Sequence, residues 1–522
     1  MPEYLETEVL ILGSGVAGAT AALTLADAGV PVTVVTRATQ AKDTNTYWAQ
    51  GGIIYKGVED SPQLLAEDIE RAGAGHCNPV AVRILAENGP SAFERILLDR
   101  VNVDFDRQED GSLSLALEGG HSVPRIAHAA DHTGKAIELA LLAAIKDHPN
   151  VTLLTGHTAV DLLTPSHQGL NRLAVYEPRS CVGAYLFEQK AARVRRILAR
   201  KTVLATGGLG QIFLRTTNPV GARGDGIAMA WRAGVRIINA EFVQFHPTCF
   251  YYRDAARFLI SEAVRGAGAR LVSADGEPFM QNYAPEWKDL APRDVVARGI
   301  HHEMLANDVS NVYLDLRSYV PREEILSHFP TIYENCLEYG IDITRDLVPV
   351  VPAAHYFCGG VWVDDWGLSS HEHLYAVGES SCTGLHGANR LASTSLLEGL
   401  VFGERAAMQI LETLPDAILH DGNDIQPWQD TGEYDPDPAL ISQDLSSIKN
   451  IMWNYVGLVR TEYRLSRAGR ELRQLNLEIE RFYRKTRLTD ELIGLRNAAR
   501  TAIVVADAAW QNKRSMGAHY RE

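Results

Sequence analysis

Six residues near the start of the chain, Gly13-Ser14-Gly15-Val16-Ala17-Gly18, decide the fold class. The apolar run Val9-Leu10-Ile11-Leu12 leads into them, and an Ala/Leu-rich segment leads out to about Ala28. In this spacing the first glycine permits a tight turn, the second lets backbone approach a pyrophosphate, and the third lets helix pack closely on strand. The helix N-terminus then faces the phosphates. Gly29 suits a helix C-cap, and Val32-Thr33-Val34-Val35 makes a second β-branched strand, completing a βαβ unit. A parallel, doubly wound, Rossmann-like sheet that binds a dinucleotide is expected. One feature departs from the usual pattern: the second strand ends in Thr36-Arg37 rather than an acid. The ribose is therefore held differently, or Arg37 contacts a phosphate.

At 522 residues the chain exceeds what one core usually supports, so two or three domains are expected. Two further strand-then-glycine units, Thr202-Val203-Leu204-Ala205 into Thr206-Gly207-Gly208 and Leu374-Tyr375-Ala376-Val377 into Gly378-Glu379, extend the same sheet. Between them lies a mixed segment, read as an inserted α+β capping domain over 241–349. The dinucleotide-binding domain is then discontinuous, 1–240 and 350–425. Beyond Gln426-Pro427 the apolar spacing becomes helical over 445–470, 471–485 and 489–513, predicting a C-terminal helical bundle over 428–522.

The formal net charge of −15 repels nucleic acid and anionic membrane on average, so neither is an expected partner. The first apolar run is too short for a signal-peptide core and follows acids, and no stretch reaches the roughly 20 apolar residues of a membrane span. A cytoplasmic location is the expectation. The six cysteines show neither a CxxC pair nor ligand spacing, so reduced thiols and no metal are expected.

Thr46-Tyr47-Trp48-Ala49-Gln50-Gly51-Gly52 sets small residues beside aromatics, as suits backbone against a flat ring, although alone it fits any tight loop. Gly224-Asp225-Gly226 is equally a turn or a ribose contact. Glu118, His246, Glu262, Arg265, Arg293, His355 and Arg390 carry chemical potential. Lone arginines are usually surface cations and lone histidines structural, but these lie in Gly/Ala-rich or aromatic sequence. That setting suggests an enclosed anion site, and two carboxylates would need two arginine forks.

Together these residues resemble the succinate dehydrogenase and fumarate reductase flavoprotein family over about 1–415, nearest its branch that oxidises L-aspartate. The resemblance implies non-covalent FAD held by Gly13 through Gly18, Arg37, Asn45, the 46–52 loop, Asp225, Glu379, Ser395 and Leu396. It implies a substrate held by His246, Ser261, His355 and Arg390, with Glu118 on the ammonium group. In the membrane-bound enzymes a histidine that tethers FAD stands where this chain has Asn45, and asparagine cannot form that bond. Arg293 matches the family's catalytic acid or base. An isolated guanidinium has a pKa above ~12 and rarely gives up its proton, so Glu262 and Arg265 are implied as its relay. The implied reaction is FAD-dependent oxidation of L-aspartate to iminoaspartate, with oxygen or fumarate as acceptor, feeding quinolinate and NAD synthesis and a quinolinate synthase as partner. A soluble fumarate reductase or succinate dehydrogenase subunit is the second reading, and a noncatalytic FAD protein a third. Two positions depart from the family pattern. Ser261 stands for a threonine and keeps the hydroxyl, whereas Thr394 stands for an asparagine and puts cofactor affinity in question.

Overall fold

The computed structural model of the protein describes residues 4–252 and 258–522. The strand β1 (Tyr4–Leu12), helix α1 (Val16–Asp27) and strand β2 (Val32–Val35) form the expected βαβ unit. Gly29 follows the helix end with φ +86°, the left-handed turn that a C-terminal glycine supplies. The sheet grows outward through β3 (Val151–Leu154) on one side. On the other it grows through β4 (His157–Leu163), β5 (Gly183–Glu188) and β6 (Arg193–Leu204), in the order β3-β2-β1-β6-β5-β4, with Leu374–Ala376 also pairing with β6. β1 runs parallel to β2 and β6, and β6 runs parallel to Leu374–Ala376.

The register aligns the strand ends. Leu12 is opposite Val35 and Leu204, and Leu204 is opposite Ala376. The glycine turns after residues 12, 205 and 377 therefore leave the sheet along one edge, where open α/β sheets bind ligands. Gly13 cannot be replaced without a shift, because its φ is +121° and an added Cβ would lie 2.0 Å from the Ala205 carbonyl oxygen. Helix α2 (Asp225–Ala233) starts beneath this edge.

A second sheet, antiparallel, combines β7 (Val243–Phe250), β8 (Arg270–Val272), β9 (Val312–Asp315) and β10 (Val348–Phe357) in the order β7-β10-β9-β8. The short helix α3 (Glu262–Gly266) and α4 (Arg293–Ala306) accompany it, and Phe250, Ile260, Val296, Leu314 and Val350 close an apolar core of their own. Helix α5 (Thr394–Thr413) returns to the first sheet.

The helical tail differs from the expected segments. Its helices are α6 (Pro438–Tyr455), α7 (Glu462–Lys485) and α8 (Asp490–Gln511), so the helix expected over 445–470 is broken and its second half belongs to α7. Arg460 causes the break. It turns inward, donates Nε to the carbonyls of Val456 (3.1 Å) and Gly457 (3.2 Å), and donates Nη1 to the Glu241 carbonyl at 2.8 Å. These bonds satisfy carbonyls at the end of α6, and Thr461 caps α7 by accepting from the Arg464 N–H. Alternate residues of β1 serve two cores: Val9 and Ile11 pack with α1 and α5, Leu10 and Leu12 with α6 and α8. Among the described residues no helix is long and apolar enough to cross a membrane, and the six cysteines form no disulfide.

Candidate functional site

One elongated cavity follows the sheet edge. It runs from Arg37 past the turn at 13–17, the 43–52 loop, the 205–208 turn and Glu379, and ends between β7, β10 and α4. The Thr46 hydroxyl accepts the Val16 N–H at 3.0 Å and pins the 43–52 loop over the start of α1. Asn45 donates to Glu379 at 2.7 Å, while the second Glu379 oxygen takes the Phe357 N–H at 2.9 Å. The side-chain oxygens of Asn45, Gln50 and Asn218 are buried at this wall without a hydrogen-bond partner among the described residues. Orphaned acceptors of that kind need a ligand's donors. A glycine-turn cradle at the helix N-terminus together with these acceptors fits a flavin dinucleotide.

The far end is built for anions. Arg293, the first residue of α4, donates Nε to Glu262 at 2.6 Å, and Glu262 lies 3.8 Å from Arg265. Arg390 extends toward Arg293, and both guanidiniums bond one amide oxygen, that of Gln244, at 3.3 Å from Arg293 and 3.4 Å from Arg390. The Gln244 NH2 donates to Asn389 Oδ1 and to the Arg390 carbonyl, each at 2.8 Å. The pairing of β7 with β10 shifts register twice, between Gln244 and Phe245, where the extra residue is His355 of β10, and between His246 and Cys249, the bulges by which a strand re-aims side chains.

Proton positions on the two histidines follow from their partners. His246 Nδ1 accepts the Thr248 backbone N–H at 3.2 Å, so its proton sits on Nε2, which is buried without a protein partner. His355 Nε2 faces Arg390 Nη2 at 3.0 Å, and a guanidinium only donates. His355 therefore holds its proton on Nδ1, toward the Thr217 hydroxyl at 2.8 Å. Removal from water, with Arg293 and His355 beside His246 and Arg390 and Arg293 beside His355, holds both well below the usual histidine range. Burial and the neighbouring Arg293 bring Arg390 down to about 10. Burial favours the neutral form of Glu262, but Arg293 and Arg265 outweigh it and keep the carboxyl below its usual range.

Glu118 lines the same cavity. Ser393 donates to its Oε2 at 2.5 Å and accepts the Gly52 N–H at 3.3 Å, tying this acid to the 43–52 loop. Burial, with Glu262 nearby, raises the Glu118 carboxyl above its usual range.

The structure brings nearly all the expected residues to this cavity. Gly18, Tyr47 and Arg265 do not line it. Gly18 packs under Gly13, where a Cβ would meet the Gly13 carbonyl oxygen at 2.2 Å. Tyr47 stands outside, edge-on to Trp48, and Arg265 lies behind Glu262, bonded to the Asp289 carbonyl. Gln244, Ser393 and Thr217 were not singled out by sequence. Gln244 had a signal: it lies two residues before His246, on the same face of a strand. Ser393 and Thr217 had none, since their partners are distant in the chain.

Comparison with known proteins places this geometry. Residues 8–396 match the FAD binding domain family, and 446–522 match the fumarate reductase flavoprotein C-terminal family. The L-aspartate oxidase of Pseudomonas aeruginosa is 44% identical over 100% of this chain and 96% of its own length. The enzyme of the same name from Halobacterium salinarum is 42% identical, covering 100% and 97%. Among solved structures, the FrdA chain of Escherichia coli quinol fumarate reductase superposes with a TM-score of 0.90 at 27% identity, covering 99% of this chain and 91% of that one. Sdh1 of Mycobacterium smegmatis gives 0.83 at 29% identity, covering 100% and 89%.

Proposed function

We propose, from the premise that this chain belongs to the L-aspartate oxidase family and binds FAD, that it oxidises L-aspartate to iminoaspartate. The observation that carries this reading is Glu118 lining one cavity with Arg293 and Arg390, within reach of the charge of both. Arginine answers carboxylate, and the acid answers an ammonium group, which succinate and fumarate lack.

Bound FAD would supply the hydride acceptor for the substrate carbon, with oxygen or fumarate as the final electron acceptor. The chain's own side chains hold and orient. Arg390 and the His246 Nε2–H hold the substrate carboxylates, with Ser261 and His355 beside them, and Glu118 fixes the face presented by the amine-bearing carbon. Gln244 keeps the two guanidiniums in register without adding charge. Arg293 is the catalytic acid or base, and its Nε contact with Glu262, backed by Arg265, is the exit for a proton, so no neutral guanidine has to persist.

The segment 241–349 acts as the cap over this end. An imine hydrolyses in water, which favours a partner that consumes it at once. We assign that role to a quinolinate synthase on the route to NAD, in the cytoplasm. A soluble fumarate reductase would have no use for Glu118, and this favours the aspartate reading. Glu118→Gln should raise the KM for L-aspartate at least about tenfold and leave that for fumarate nearly unchanged, the loss expected of one charged hydrogen bond. Equal effects on both substrates would remove Glu118 from substrate choice.

A further inference from the structure

One face of α8 carries a polar stripe into an otherwise apolar packing surface. Asp490, Gly494, Asn497 and Thr501 recur at i, i+4, i+7 and i+11, the spacing of a single helix face. Asp490 and Asn497 bond residues that line the cofactor cavity, and Gly494 and Thr501 meet Arg223 and Gly224, which adjoin the lining residue Asp225. Asp490, the first residue of α8, accepts from Arg37 Nη1 at 3.1 Å, from Arg223 Nη1 at 3.0 Å and Nη2 at 3.1 Å, and from the Thr158 hydroxyl at 2.6 Å. At Gly494 an added Cβ would lie 2.5 Å from Arg223 Nη1, so the missing side chain is what lets that guanidinium lie along the helix. Asn497 donates to Asp225 Oδ1 at 2.8 Å, while Arg223 Nη2 holds Oδ2 at 2.9 Å. Thr501 donates to the Gly224 carbonyl at 3.1 Å. Arg37, Thr158 and Asp225 themselves line the cavity.

Charged groups gathered away from water are a weak device for stability, since desolvation offsets much of their attraction. Their effect is to order what they hold. The end of the second strand is where a dinucleotide's ribose lies in this fold, and there the chain has Arg37 instead of an acid. Two aspartates line this part of the cavity, Asp43 and Asp225, and Asp225 is the one aimed by Asn497 and Arg223. Burial pushes the Asp490 carboxyl up, yet Arg223 and Arg37 hold it below its usual range, consistent with a permanently charged pin between the two guanidiniums.

We propose that this stripe belongs to the cofactor-binding machinery: α8 fixes the Asp225 carboxylate and the Arg37 guanidinium at the adenosine end of the FAD cavity. Cofactor retention then depends on a helix outside the segment that matches the FAD binding domain family. The proposal rests on FAD being the ligand and concerns positioning residues, not catalytic ones.

The test is titration of FAD and of FMN into the full-length apoprotein, followed by flavin fluorescence, for the wild type, Asn497→Ala and Asp490→Asn. Asn497→Ala leaves the charge unchanged, so a change in long-range attraction cannot account for its effect. High salt suppresses that contribution for Asp490→Asn. Each variant should raise the Kd for FAD about tenfold and leave the Kd for FMN, which has no adenosine, unchanged. An unchanged FAD Kd overturns the proposal, and so does equal weakening of FAD and FMN, which marks a general loosening of the fold. A wild type that fails to bind FAD overturns the cofactor assignment instead. Should Asp490→Asn fail to fold, Asn497→Ala alone decides.

Discussion

Arg390 shows how much one side chain is asked to do. It bonds the Ser395 hydroxyl at 2.7 Å, lies over the Tyr356 ring at 4.5 Å, and meets His355 and Gln244 as well. A lysine keeps the charge but loses the planar fork and the ring stacking. Arg390→Lys should lower kcat/KM for L-aspartate about a hundredfold, near the upper limit for a charged hydrogen bond, with FAD content unchanged. Wild-type kcat/KM would show the fork to be dispensable. Arg293→Leu should abolish turnover while the bound flavin keeps its spectrum, and retained turnover would remove its acid–base role. Glu118 sets a pH dependence. Its carboxyl is raised by burial and must be ionised to hold an ammonium group, so affinity for L-aspartate falls as pH drops through a range above that of an ordinary glutamate. The lowered histidines are already neutral there. A plot of 1/KM against pH should show this limb for L-aspartate and not for fumarate, and the same limb for both would assign it to another group. These residues were legible as a set because arginine, histidine and glutamate are rare in apolar sequence. Their exact contacts were not, since Ser393 meets Glu118 across 275 positions of chain.

At the scale of elements, the glycine turn, the helix and the second strand of the first βαβ unit were readable from local sequence, whereas β1 begins at Tyr4, five residues before the apolar run that marked it. The turn at Gly13 needs a positive φ, a requirement of the residue itself, and the Ala205 carbonyl of the adjoining strand adds a second one that local sequence does not show. Gly13→Ala should give a folded protein that purifies colourless, and a normally loaded yellow variant would refute the steric account. The tail helices were harder to read. The break between α6 and α7 rests on Arg460 bonding carbonyls of its own turn and that of Glu241, 219 positions away in sequence. In a periodicity pattern Arg460 looks like any solvated helix position. The register shifts between β7 and β10 were invisible for the same reason, being set by how the two strands pair.

Across the whole molecule the division of labour is spatial. The first sheet presents a glycine-lined edge for the dinucleotide, the second sheet and α4 bring histidine and arginine to one end, and the α6–α8 tail covers the opposite face of the first sheet. The doubly wound sheet, the inserted strands and the helical tail could be anticipated from strand-then-glycine units and a change in periodicity. The contact of α8 with the cofactor wall could not, because it joins Asp490 to Arg37 across 453 positions. The central claim is that this cavity oxidises an amino dicarboxylate. It is tested most directly by mixing the purified yellow protein anaerobically with L-aspartate, and separately with succinate, while following the oxidised flavin band. Bleaching by L-aspartate and not by succinate, reversed by air or fumarate, is the predicted result. A band that L-aspartate leaves unchanged, in protein whose reduced form is reoxidised by fumarate, would contradict the account and identify a fumarate reductase.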